Sequence, residues 1–271
     1  MDRSRLSCTT VTFGGKLPEK LRAIKAAGFG ATEIWPRDYY EHNEGPDIAI
    51  DLLVANKLAP SAYSNLRNFE GMPEAQRKRK INIATQLLDQ TRLLGCKTLV
   101  MCSNIAPDSS GDKGRIADDL RMLGDLAKSY GVRVAWEPIC WGRWISDYRD
   151  AWEIVRQVDH PNIGMVLDSF NVLALDLPAE PIANMDGDKI FLVELADLPK
   201  VNLSFLEMSR AFRLFPGEGN APIGAFIDQI GKTGYDGYYA VEVFNSYYVT
   251  LDQQTVADRA MHSLEALFTR K

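Results

Sequence analysis

Four short apolar runs in the second half of this 271-residue chain, 132–137, 163–168, 189–194 and 238–242, each end in an acid. The carboxylates Glu137, Asp168, Glu194 and Glu242 follow one another at intervals of 31, 26 and 48 residues. Those intervals suit one strand–helix unit between neighbours, with an insertion before the last. A single acid at a strand end is most simply a helix cap or a rim ion pair. Four in succession, gathered on one rim, would repel and raise one another's pKa values, and a divalent cation is the simplest partner that cancels that cost. An all-oxygen donor set suits hard cations, so Mn²⁺ or Mg²⁺ is expected, with Co²⁺ as a third candidate. Zinc, which favours imidazole and thiolate, fits less well.

The elements that must position these acids follow from the rest of the pattern. A strand covered by helices on both faces shows an apolar run without polar alternation. Strand–helix pairs are expected at 6–14 with 17–27, 31–35 with 47–57, 59–63 with 73–94, 98–102 with 113–130, and 132–137 with 150–158. The run 163–168 precedes a weak helical stretch rich in Asp and Pro. After 189–194 comes a long loop, 197–221, before a helix at 223–233, and 238–242 leads into a last helix at 253–270. Gly28, Gly95, Gly131 and Gly234 fall where helices should end. Eight such pairs without a composition break predict an α/β fold, a single (β/α)8 TIM barrel over residues 1–271. A doubly wound open sheet is the alternative, but it would string the acids along an edge. In a barrel they converge at the C-terminal ends of the strands, where barrel chemistry sits.

Composition excludes several classes. Hydrophobic residues at 46% and charged residues at 25% are ordinary for a globular chain. A net charge of −5 offers no footprint for a phosphate backbone, so nucleic acid is excluded as a partner and a small-molecule substrate is expected. Neither a signal segment nor a membrane span is read in the sequence, and a cytoplasmic location is expected. Cys8, Cys96, Cys102 and Cys140 lack metal-ligand spacing and read as small buried hydrophobes. His42, His160 and His262 fall away from the acidic strand ends. The basic run 77–80 reads as a solvated helix face.

Beyond these general features, particular stretches carry a resemblance. Trp136-Glu137-Pro138, Leu167-Asp168-Ser169-Phe170, Val193-Glu194-Leu195-Ala196-Asp197 and Val241-Glu242-Val243-Phe244-Asn245 resemble the metal-ligand strands of the xylose isomerase-like TIM barrels, the sugar phosphate isomerase/epimerase superfamily. A closer likeness is to the bacterial 3-dehydroshikimate dehydratases. It is carried by Arg67-Asn68-Phe69-Glu70-Gly71-Met72, Ser209-Arg210-Ala211-Phe212-Arg213 and Phe215-Pro216-Gly217-Glu218-Gly219, and it covers almost the whole chain.

The resemblance implies a lyase that converts 3-dehydroshikimate to protocatechuate with a divalent metal held by Glu137, Asp168, Glu194 and Glu242. It also implies that Arg67, Arg210 and Arg213, with Ser209 beside them, grip the substrate carboxylate. Those dehydratases carry Gln at position 194 and His at position 171, where this chain has Glu194 and Asn171. The two are therefore the catalytic candidates: Glu194 as ligand or base, Asn171 in the place of a base that an amide cannot supply. A metal-dependent keto-sugar isomerase or epimerase is the second reading, and a barrel that binds a small molecule without turnover is the third. Members of the family are often oligomers, so a homo-oligomer is an open expectation.

Overall fold

The structure is a computed structural model that describes residues 2–41, 45 and 47–270. His42, expected in a loop, lies outside the described residues. Eight parallel strands close into a barrel in sequence order: β1 Leu6–Thr9, β2 Ala31–Ile34, β3 Ala59–Leu66, β4 Thr98–Cys102, β5 Arg133–Glu137, β6 Ile163–Asp168, β7 Ile190–Leu195 and β8 Tyr239–Val241. The helices described are α1 Leu17–Ala26, α2 Pro36–Tyr40, α3 Asp47–Asn56, α4 Glu74–Leu93, α5 Lys113–Ser129, α6 Tyr148–Val158, α7 Ser169–Ala174, α8 Phe205–Ala211, α9 Ile223–Lys232 and α10 Gln253–Thr269. The expected (β/α)8 barrel is thus the observed fold. No described helix is long and apolar enough to cross a membrane.

Burial explains why these segments take these forms. Every residue of β6 and β7 is buried, as an unbroken apolar run between helices and barrel interior requires. In α6 the buried residues Tyr148, Ala151, Ile154, Val155 and Val158 recur at helical spacing, and the Asp147 side chain caps its start by accepting from Arg149 N. Gly131 and Gly234 follow α5 and α9 with φ of +66° and +79°, a conformation that L side chains resist, so each helix stops there. Side chains along a strand alternate between faces. Glu137 and Asp168 therefore share the inward face with Ala135 and Val166, part of a small buried apolar cluster that includes Val100, Leu192 and Ala240. The acids sit as a polar layer above that plug.

Several elements differ in extent from expectation. β1 stops at Thr9 because residues Thr10–Thr12 wind into a 3-10 turn, and β3 runs on to Leu66. The long loop after β7 contains α8, started by a capping box in which Ser204 accepts from Glu207 N and Glu207 accepts from Ser204 N. Asp197, immediately beyond β7, fastens the base of this segment. Its Oδ2 accepts from Gly217 N at 2.9 Å and Gly219 N at 3.0 Å, and its Oδ1 from Leu198 N at 2.7 Å and Ala221 N at 3.0 Å. A side chain at Gly219 would run into Asp197 and the Leu198 carbonyl, so the backbone can come this close only as glycine. Asp197→Ala strands four amides at once. The expected outcome is a loss of about 3 kcal/mol in urea unfolding; a change below about 0.5 kcal/mol would show that the loop is held by other contacts.

Candidate metal centre

The closed barrel brings the four strand-end acids together: Glu137, Asp168, Glu194 and Glu242 each offer a carboxylate oxygen within 4.8 Å of the others, and all four are buried. Strand register accounts for this, since Asp168 of β6 pairs with Glu194 of β7, and Glu242 continues directly from β8. Three of the acids are held by protein donors. Glu137 accepts at Oε1 from Asn171 Nδ2, 2.7 Å, and at Oε2 from the Cys102 thiol, 3.1 Å. Asp168 accepts at Oδ1 from Phe170 N, 2.8 Å, and at Oδ2 from Asn171 Nδ2, 2.7 Å. Arg213 Nη1 donates to both Asp168 Oδ2 and Glu242 Oε2 at 3.0 Å. Glu194 differs: both of its oxygens are buried without a hydrogen-bond partner among the described residues.

Such a cluster is costly without positive charge. Burial, reinforced by the neighbouring Asp168, pushes the Glu137 carboxyl up to about 7. Burial and Glu242 push Glu194 well above the usual carboxylate range, and burial does the same to Glu242 despite Arg213. Arg213 is the internal counter-charge. Burial disfavours its charged form, but Asp168, Glu242 and Glu137 outweigh that and hold it protonated. Its remaining donors reach Ser209, Nε to the carbonyl at 3.1 Å and Nη2 to Oγ at 3.0 Å, while its face lies on Phe170 with the guanidinium carbon 4.5 Å from the ring centre. One cation against four acids leaves a deficit. A pair of orphaned buried oxygens within a cup of closely spaced carboxylates fits an oxygen-preferring divalent ion.

The residues expected to hold substrate separate into two levels. Ser209 and Arg213 are buried in the wall of the cup. Arg67 and Arg210 stand at the mouth, where the cavity is also lined by Cys102, Trp141, Leu206 and Phe244. Arg67 stacks on Trp35 at 5.6 Å and Arg210 on Phe244 at 5.3 Å. Neither forms an ion pair with an acid among the described residues. Burial and the charge of Arg67 lower the pKa of Arg210, so the two guanidiniums feel one another across the opening. Asn171, from the first turn of α7, lies beneath the mouth, buried between Glu137 and Asp168.

Sequence reasoning missed two features. Glu33 of β2 is a fifth, fully buried rim acid that accepts from Thr9 Oγ1 at 3.0 Å and from Ser64 Oγ, and burial pushes it up to about 7. Its signal was the acid inside an otherwise apolar run, Ala31-Thr32-Glu33-Ile34, one residue short of the end. Cys102, read as a small hydrophobe, is buried but turns its thiol to the cup. It closes a relay in which Arg67 Nε donates to Asn65 Oδ1, 2.8 Å, Asn65 Nδ2 to Cys102 Sγ, 3.0 Å, and Cys102 to Glu137.

Comparison with known proteins accords with this geometry. The model of the family described as "Xylose isomerase-like TIM barrel" matches residues 21–267. The 3-dehydroshikimate dehydratase of Pseudomonas putida is 38% identical over 239 residues, which are 88% of this chain and 38% of that protein. The inosose isomerase of Bacillus velezensis is 25% identical over 272 residues, 96% of this chain and 95% of that one. A solved structure described as a xylose isomerase-like TIM barrel/4-hydroxyphenylpyruvate dioxygenase fusion protein superposes with a TM-score of 0.94 at 36% identity, covering 97% of this chain and 42% of that one. The chain thus spans about two fifths of the dehydratase and fusion relatives. With its closed barrel, its rim of four acids and a family match over most of its length, the chain belongs to the xylose isomerase-like TIM-barrel family.

Proposed function

We propose that this chain is a divalent-metal-dependent lyase that dehydrates 3-dehydroshikimate, or a close cyclic hydroxy-ketone acid, to the aromatic acid, protocatechuate in the first case. The observation that carries this reading is two arginines, Arg67 and Arg210, without acid partners among the described residues, over a cup of four carboxylates. The cup selects a cation and the mouth selects an anion, and 3-dehydroshikimate offers a ketone to the first and a carboxylate to the second. The likeness to dehydratases supports the same choice.

Glu137, Asp168, Glu194 and Glu242 would hold the cation, which supplies Lewis acidity that stabilises negative charge developing on the substrate ketone oxygen. Arg67 and Arg210 bind the carboxylate by charge-assisted hydrogen bonds, and the Trp35 and Phe244 rings beneath their guanidiniums add cation–π contacts. Trp141 and Leu206 line the mouth and offer apolar surface to the ring face. The ring loses a proton and a hydroxyl, together one water; the C–H electron pair becomes a ring double bond, and the remaining ketone tautomerises to a phenol. No oxidant is required. Glu194 serves as ligand because, alone of the four, it has neither oxygen committed to a protein donor.

A second reading, isomerisation or epimerisation of a keto-sugar or inosose, is favoured by the near full-length match to the inosose isomerase and by the carboxylate at position 194. The two part at the mouth, since a sugar has no carboxylate for Arg67 and Arg210. Incubation with 3-dehydroshikimate and Mn²⁺ is expected to produce the ultraviolet band of an aromatic product. Arg67→Met and Arg210→Met should each raise KM about tenfold or more, on the scale of one lost charge-assisted hydrogen bond, with Mn²⁺ affinity unchanged. Turnover of ketoses or inososes with no reaction of 3-dehydroshikimate would establish the second reading instead.

The acid cluster also sets a pH dependence. Folding raises Glu33 and Glu137 of the cluster from 4.5 to about 7 and, outside it, Glu70, which accepts from Asn104 N, from 4.5 to about 8, in each case mainly through burial. The folded chain therefore holds more protons than the unfolded one across that window. The associated stability is complete below the unfolded value and is lost as pH rises through the folded values. The Tm of metal-free protein should fall between about pH 5 and about pH 8, and the gain in Tm from Mn²⁺ should grow over the same range. A metal-free Tm that climbs through this window would contradict the assignment of these acids.

A further inference from the structure

The amide of Asn171 has every polar atom committed. Cys140 N donates to its Oδ1 at 3.0 Å, and because a backbone N–H can only donate, the amide nitrogen must face the other way. That nitrogen lies 2.7 Å from Glu137 Oε1 and 2.7 Å from Asp168 Oδ2, one hydrogen for each acid. The residue is 2% exposed and both amide hydrogens are taken by the acids it touches, so it has no donor left for substrate. Asn171 lies three residues beyond Asp168 on the first turn of α7, which sets it over the end of β6 and beside β5.

We propose that Asn171 is a positioning residue, a neutral clamp that fixes Glu137 and Asp168 at a set separation and so pre-forms the cation cup. The physical advantage lies in sharing. Two like charges this close would turn their oxygens apart, and one NH₂ group donating to both holds the pair in register without adding a positive charge that would repel the ion. Partners of ligands that orient them in this way typically change metal affinity by about 10–100-fold when removed. The inference rests on the metal reading above and goes beyond it, because it gives position 171 a part in assembling the cup and none in moving a proton.

Mn²⁺ binding measured by calorimetry on the purified protein tests it without reference to turnover. Asn171→Leu keeps the volume and removes both hydrogen bonds; a folded variant, judged by circular dichroism, should bind Mn²⁺ about 10–100-fold more weakly. Asn171→Thr retains one donor that can reach only one acid, and it should fall between wild type and the leucine variant, which also decides the matter if the leucine variant does not fold. Wild-type Mn²⁺ affinity in either folded variant would overturn the clamp. Failure of the wild-type protein itself to bind Mn²⁺ would overturn the metal reading, and the clamp with it.

Discussion

Crowding of negative charge in a dry barrel mouth is the constraint on which the rest of this structure depends. Glu33, Glu137, Asp168, Glu194 and Glu242 are all buried at the strand ends, and among the described residues Arg213 is the cation that contacts this group. Isolated buried charges cost several kcal/mol each even after relaxation, so the arrangement persists only where protons, donors or an ion offset it. The donors are distributed unevenly. Asn171, Cys102, Phe170 N and Arg213 serve three acids, Thr9 and Ser64 serve Glu33, and Glu194 is left to be satisfied by whatever enters the cup.

The fold supplies what this charge cluster needs. Parallel register sets Asp168 beside Glu194 and Cys102 beside Glu137, so the spacing of the acids is fixed by backbone hydrogen bonds, not by the acids themselves. The apolar plug below, with Val100, Val166 and Leu192, keeps the cup dry from beneath. Above it, the segment between β7 and α9 is tied down by Asp197 and carries Ser209, Arg210 and Arg213 on or directly after one short helix. One element thus supplies both the counter-charge inside the cup and a cation at its mouth.

Much of this was legible in the sequence, for reasons that differ by feature. The barrel could be read because buried parallel strands leave continuous apolar runs, and glycines such as Gly131 mark helix ends by a backbone requirement that few other residues meet. The approach of the four acids followed from their repetition at strand ends. Glu33 escaped because Ile34 follows it, and only the two-residue alternation of strand faces, not the end of a run, would have singled it out. Arg213 could be recognised as important, but its choice of Asp168 and Glu242 depends on how α8 docks, which no local pattern encodes. At Asn171 the resemblance implied only that a base was missing. The two carboxylates on its amide emerge when β5 and α7 are placed side by side. Cys102 was undervalued because burial and chemistry coincide at that position.

The central claim, that the acidic cup is built to be neutralised by a divalent ion, has one direct test. Metal-free protein is titrated with Mn²⁺ calorimetrically near neutral pH, in two buffers of different ionisation enthalpy, so that ion binding and proton release are read together. Expected is a single Mn²⁺ per chain with protons released to the buffer, since Glu194 and Glu242 are held well above the ordinary carboxylate range and must give up protons to coordinate. Absence of binding, or binding with no proton released, would contradict it.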